Sequence, residues 1–563
     1  MGPPRRVPER VRMADPAGAA FHRCRACVSG TVSSTKHRHA RHARGVARSD
    51  SEAGMTMDIV KRSVLALAVA LAAAFLAVAT AQSSVAELRA AVQETPEDAE
   101  AWMRLGNAAF EADELEDAKD AYLEAIALDY LLGDAHFGLG LVEFARGDFQ
   151  GALFAFNEVT RLFPDRFDGH YNRAVTLATL RRPGDAATAF RAALDAAEPE
   201  ATRQDRLNAY VGLAGQLVRS EEYRAAAEAF GEALVLAPDD TDLAYNRGAA
   251  LVAAGEGLTA LAELTEVESR TGDYRFSVLI AEVYVDQGQV DFALRALERA
   301  VRKAVDAGDR QGEASSLVAL GELQRGLGRE SAAAASFERA VEVDPASWEA
   351  RYNLGVSLLT SGQTRAALAP LQEAARLQET GIESELALAG AYDQLGMSGE
   401  ALASARRVLD RASPSDADAQ AQARFVVGRA LYLQGDYAGA SDALSMVVQA
   451  RPGSASAQLW AGLARYMQGD YEGAALFYER AVQLDPNSIE ARVNLGAAYL
   501  ASERYSDAEN VYRLLVQQNA QDAESHYHLG WSLYAQRRDE DARIAWSNAC
   551  QLGYQAGCTA PRQ

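Results

Sequence analysis

Thirteen alanines recur along the chain in one register, and their spacing constrains its fold more than any other feature. They are Ala118, Ala152, Ala186, Ala226, Ala260, Ala293, Ala333, Ala367, Ala401, Ala440, Ala474, Ala508 and Ala542. Nine of the twelve intervals are 33 or 34 residues, and the other three are 40, 40 and 39. A fixed period in that range belongs to stacked repeats, where each unit buries its apolar face only against its neighbours.

The frame around each alanine is also shared. Twelve residues earlier stands a Gly or Ala, as at Gly106, Gly140, Ala174 and Gly462, and four residues later a bulky side chain is common, as at Tyr122, Phe156, Phe337 and Trp546. Small residues let two antiparallel helices approach, and the ring one turn further along fills the remaining gap. Gly147-Asp148, Gly362-Gln363, Gly435-Asp436 and Gly469-Asp470 read as stops between the helices of a pair. Proline closes five units, at Pro164, Pro238, Pro345, Pro452 and Pro486.

The copy formed by Trp102, Leu105, Gly106, Ala118, Tyr122 and Ala125 resembles the tetratricopeptide repeat, a 34-residue helix–turn–helix. The resemblance covers residues 99–556 and implies an all-α, right-handed superhelical solenoid of about thirteen repeats. In this register they begin at residues 99, 133, 167, 207, 241, 274, 314, 348, 382, 421, 455, 489 and 523. The three long intervals place extra residues at Pro199–Arg206, Ala304–Glu313 and Arg411–Gln420, as longer connectors or as an added turn on the next first helix.

The ends differ from the array. The formal net charge is −22, yet residues 1–54 hold eleven Lys/Arg against four Asp/Glu, and residues 55–81 add one more net positive charge. That leaves −30 on residues 82–563. So acidic an array repels nucleic acid and anionic lipid. Residues 55–81 read as a secretory signal peptide: Lys61-Arg62, an apolar run from Val64 to Val78, then Ala79-Thr80-Ala81 before Gln82. The alternative is an uncleaved inner-membrane anchor over residues 64–79. Either way the repeats are expected outside the cytoplasm of a bacterium, in keeping with a chain of four lysines whose arginine richness suggests a GC-rich genome.

Because an export signal is normally N-terminal, residues 1–54 are read as an over-extended leader, with translation starting at Met55 or Met57. Its Cys24 and Cys27, near His22, His37 and His39, lack the second cysteine pair that a zinc site of this kind needs. Residues 82–98 resemble the second half of a repeat and are expected to cap the first. At the other end, residues 557–563 are too few for a covering helix. Cys550 and Cys558 are expected to form a disulfide there, and the last face is open to self-association.

No P-loop, nucleophile elbow, zinc-protease motif or dinucleotide fingerprint is present, so the chain reads as non-enzymatic, with no cofactor and no metal. His136, His170 and His526 share the repeat position held by Trp102, which points to packing.

The resemblance implies a concave groove lined by repeat positions 2, 5, 9 and 12. Carried onto this chain, it gathers Phe137, Leu141, Phe144, Tyr171 and Val175 into one patch, and Phe425, Tyr432, Tyr466, Tyr527, Trp531 and Tyr534 into another. Position 2 is acidic at Glu100, Asp134, Asp168, Asp242, Glu349, Glu383, Glu490 and Glu524, which favours neutral or basic partners with apolar anchors. Position 6 holds Asn172, Asn246, Asn353 and Asn494, candidates for gripping a peptide backbone. The expected function is an exported protein- or peptide-binding scaffold or adaptor in the bacterial envelope. The alternative is a non-catalytic subunit that docks onto an envelope enzyme or a secretion or assembly complex.

Overall fold

The computed structural model describes residues 85–196, 201–378 and 381–561. The leader and signal readings over residues 1–81 lie outside them. The described residues form an all-α solenoid: twenty-eight helices, of which twenty-six pair into thirteen helix–turn–helix repeats. The chain divides into two compact units, with the division between Ala319 and Leu320 inside the first helix of repeat 7.

All thirteen recurring alanines have 0% exposure. The reason lies across the helix pair. A Cβ built on Gly140 would stand 2.6 Å from the Phe156 ring, on Gly462 2.6 Å from Tyr478, and on Gly530 2.3 Å from Trp546. The small residue and the ring four positions after the alanine are thus two halves of one contact, repeated along the array.

Each turn between paired helices carries one residue with positive φ, always five positions before the alanine. Eight are glycines, among them Gly147, Gly362, Gly435 and Gly469. The other five are Asp113, Arg181, Glu221, Glu503 and Arg537, at φ of 56–65°. After three of the glycines an aspartate caps the second helix, as where Asp148 accepts from the Gly151 N–H at 2.9 Å.

Each long interval includes an added turn of helix. First helices run 12 or 13 residues except in repeats 4, 7 and 10, where Arg203–Arg219, Arg310–Gly326 and Ala417–Leu433 each run 17. The added turn is at the N-terminal end. In repeat 4 it is fixed by a capping box, in which Thr202 and Asp205 bond each other's backbone N–H.

In the unit before Leu320, the helix Val85–Glu94 lies on the first helix of repeat 1 and buries Val92 with Ala101, Leu105 and Ala121. In the unit from Leu320 onward, the last helix (Asp539–Gln551) is followed by one turn, Gln555–Cys558, packed back on it. Cys550 and Cys558 are disulfide-bonded, with Cα atoms 4.8 Å apart. The tail is short, yet it covers part of the last face, because Gly557 sits against Ala549 and Trp546, and Ala560 joins the core.

Candidate functional site

Neighbouring first helices touch one another, as Gly133–Ala145 does with Ala99–Glu111, and Ala417–Leu433 with both Glu383–Gln394 and Ala455–Met467. Second helices pack mainly between the first helices on either side. First helices thus lie side by side where these contacts occur, from Trp348–Thr360 through Ala523–Ala535 in the second unit and in pairs in the first, and residues on their free side are the candidate site.

In the first unit the structure splits the sequence-derived patch. Tyr171 and Val175 are core residues, at 6% and 5% exposure. Tyr171 stacks on Phe167 at 5.7 Å and meets Phe190 edge-on at 5.7 Å. Burial pushes its hydroxyl well above the usual tyrosine range. Phe137, Leu141 and Phe144 are half-buried. Phe137 has the Arg166 guanidinium 5.0 Å over its ring, and Phe144 meets Phe149 edge-on.

In the second unit, Tyr432 and Tyr466 are mostly enclosed, and burial pushes both hydroxyls up to about 12. Phe425, Tyr527, Trp531 and Tyr534 are half-buried. Two charged groups, outside the aromatic pattern of the sequence, complete the surface around Phe425. Arg429 lies 4.6 Å from the Trp460 ring and 5.9 Å from Phe425, and its Nη1 donates to Asp393 at 2.6 Å. Burial lifts the Asp393 carboxyl above its ordinary range against the pull of Arg429. Trp460 in turn meets Tyr432 edge-on at 5.5 Å. Arg429 and Asp393 stand at positions 9 and 12 of their repeats, so position alone identifies them once charged residues are admitted.

The position-6 asparagines face inward more than outward. Asn172 is 4% exposed and donates to Asp168 O within its own helix. Asn353 is 6% exposed, accepts from Arg325 at 3.0 Å and donates to Glu322 at 3.3 Å. Asn494 is 3% exposed, whereas Asn246 remains half-buried. Three of the four amides are thus enclosed, with Asn172 Oδ1 and Asn494 Nδ2 left without a hydrogen-bond partner among the described residues.

The acidic rim is also partly neutralised from within. Arg166 bonds both Asp134 and Asp168, at 2.7 Å each, and Arg275 donates to Asp242 at 3.0 Å. Outside the rim, Arg451 reaches in the same way to Asp418, in the added turn of repeat 10, at 2.7 Å. An arginine at the helix entry reaches back to the carboxylate of the preceding repeat, which weakens the attraction for basic ligands inferred from the carboxylates alone.

His136, His170 and His526 each place Nε2 within 2.8–3.1 Å of the carbonyl oxygen six residues earlier, at Tyr130, Pro164 and Ala520. Trp102, Arg351 and Gln458 make the same bond to Pro96, Pro345 and Pro452. His528 stacks on Tyr512 at 5.3 Å. Among the described residues no group of three or more His, Cys, Asp or Glu is placed to hold a metal ion, and no helix is long and apolar enough to cross a membrane.

One tetratricopeptide-repeat family model matches residues 69–129, 108–159, 137–201, 213–273, 318–382, 386–455 and 428–489. Two further models of the same description match 274–346 and 465–536. No curated protein matches the sequence. Among solved structures, the chain is similar to one in Naa15/Naa10 bound to HypK-THB: 15% identity, 81% of this chain and 76% of that one, TM-score 0.36. It is similar to yeast Tom70 at 15% identity, over 72% of this chain and 96% of that one, TM-score 0.29. For a tetratricopeptide repeat protein from Parabacteroides merdae the values are 18%, 44% and 96%, with a TM-score of 0.32.

Proposed function

The chain belongs to the tetratricopeptide-repeat family, and from that premise we propose that it is a non-catalytic scaffold holding extended protein segments on its first-helix wall. One observation carries this reading: half-buried rings sit on that wall beside charges that are already paired. Phe425 and Trp460 flank an arginine neutralised by Asp393, and Trp531 and Tyr534 lie further along. Half-buried rings with local charge cancelled are typical anchors of a binding surface.

The preferred setting is the bacterial envelope, after cleavage before Gln82, with anchoring by residues 64–79 as the alternative. The signal-like pattern of residues 55–81 supports export. N-terminal sequencing tests it: a mature chain starting at Gln82 fits, and one starting before Met55 contradicts both the leader and the signal readings.

A pull-down with the purified protein tests the scaffold. Segments of several unrelated proteins, retained by the intact chain and lost on Trp460→Ala or Trp531→Ala, fit the account. Retention unchanged by both substitutions contradicts it. A second reading, a subunit docked on an envelope enzyme or assembly complex, draws on exposed apolar side chains of the second helices, Phe154 at 68%, Val235 at 74% and Leu258 at 73%. One stoichiometric partner that survives loss of the ring-lined wall would favour it.

A further inference from the structure

Three consecutive first helices of the second unit bring one polar site together. Glu383–Gln394 supplies Asp393, Ala417–Leu433 supplies Phe425 and Arg429, and Ala455–Met467 supplies Trp460. The Arg429 guanidinium lies 4.6 Å from the Trp460 ring and 5.9 Å from the Phe425 ring, and Nη1 donates to Asp393 Oδ2 at 2.6 Å. The pair is largely enclosed: its side chains are 19% and 8% exposed.

Each member of the pair has one function left over. Arg429 Nε is buried and Nη1 is engaged, while Nη2 keeps accessible surface and has no partner among the described residues. Asp393 uses Oδ2, and its Oδ1 likewise keeps accessible surface without a partner among them. The two charges are thus joined through one arm rather than as a two-bond fork. Burial has already lifted the Asp393 carboxyl above its ordinary range, so this carboxylate is short of hydration and gains from a further donor. A neutral pair therefore presents a strong donor and a strong acceptor side by side, backed by two rings.

We propose that Arg429 and Asp393 clasp the main chain of an extended peptide, Arg429 Nη2 donating to a carbonyl oxygen and Asp393 Oδ1 accepting from an N–H. In an extended chain the N–H and C=O of one residue point to the same side, as when they pair across an antiparallel ladder, so a single residue meets both groups. A ligand carboxylate would suit Arg429 but meet the charge of Asp393. An ammonium or guanidinium would suit Asp393 but meet that of Arg429. A helix has spent these groups within itself. Hydrogen bonds to charged partners are about twice as strong as neutral ones, and the flanking rings lower the local dielectric further.

This inference rests on the scaffold reading above and names the group that reading leaves open, so the test separates them. A decapeptide of alternating leucine and serine is titrated into the full chain, beside a counterpart in which ester oxygen replaces every main-chain N–H. Circular dichroism confirms the fold of each variant. The proposal expects the amide peptide to bind and the ester to bind about tenfold more weakly. Arg429→Lys keeps a charge opposite Asp393 but lacks the second arm, and should weaken the amide peptide about tenfold. Asp393→Ala should remove most of the difference between amide and ester. If that variant misfolds, Arg429→Lys and the ester still decide. Equal binding of the amide peptide by Arg429→Lys and the parent overturns the site and leaves the scaffold reading standing. Equal binding of amide and ester by the parent overturns the main-chain contact. An ester-linked leucine–glutamine peptide that binds as tightly as the amide peptide assigns the site to side-chain amides and also overturns it. Binding of none of these overturns both readings.

Discussion

His526 Nε2 lies 3.1 Å from the carbonyl oxygen of Ala520, across the turn that enters the last first helix. The bond closes a backbone acceptor that the turn leaves over, and five other repeats close it from the same position with His, Trp, Arg or Gln. Donation requires the hydrogen on Nε2, so the bond fixes the ring tautomer. His526→Ala should cost about 1 kcal/mol, the usual worth of such a bond, while His526→Gln should recover most of it because Gln458 already serves this way. Urea unfolding of the two variants checks this; equal losses would count against the hydrogen bond.

The left-handed turn residues give a test with the opposite sign. Glu503 and Arg537 hold φ of 65° and 61°, where other repeats use glycine. Replacing either with glycine should stabilise the chain by roughly 0.5–1 kcal/mol, since the Cβ penalty outweighs the extra freedom of the unfolded chain. Gly469→Ala, at φ 84°, should destabilise by about 1 kcal/mol. Thermal midpoints decide, and a fall on Arg537→Gly would contradict the argument.

These two features show what the sequence made legible and what it hid. The alanine, the small residue and the ring mark one contact with a narrow range of side chains, so the period shows through thirteen copies. The position-4 bond can be made by an imidazole, an indole, a guanidinium or an amide, and such a mixture has no motif. Groove aromatics were placed on first helices by register alone, but register could not say that Tyr171 is core while Trp531 is half-buried. Nor could it show which carboxylates the arginines neutralise, because those pairs reach across about one repeat.

Glu268 is 5% exposed and accepts from Ser277 and Arg299, with Lys303 3.4 Å away. Burial alone would raise its pKa, but the Arg299 and Ser277 bonds and the Lys303 charge outweigh this and hold it below the usual carboxylate range. The stabilisation is therefore complete above the unfolded-state value near 4.3 and is lost as pH falls through the lower folded value. Glu268→Gln should lower stability at pH 7 by roughly 1–3 kcal/mol, and its deficit should shrink below about pH 4. Urea midpoints measured from pH 7 to pH 3 test this, and a deficit independent of pH would refute it.

Removing the disulfide by Cys550→Ser should free a short loop and cost about 2 kcal/mol. Limited digestion with chymotrypsin should then cut after Tyr554, inside the released tail, sooner than in the parent chain. Equal cleavage times would mean that packing of Gly557 and Ala560 alone holds the tail.

Partners held on the first-helix wall should be captured there by site-specific photocrosslinking. A benzophenone side chain is placed at Leu433 or Met467, exposed ends of first helices, and separately at Leu476 or Ile544, exposed on second helices. With a library of extended peptides, the account predicts crosslinks at Leu433 and Met467 and none above background at Leu476 and Ile544. Crosslinks confined to the second-helix positions would contradict it.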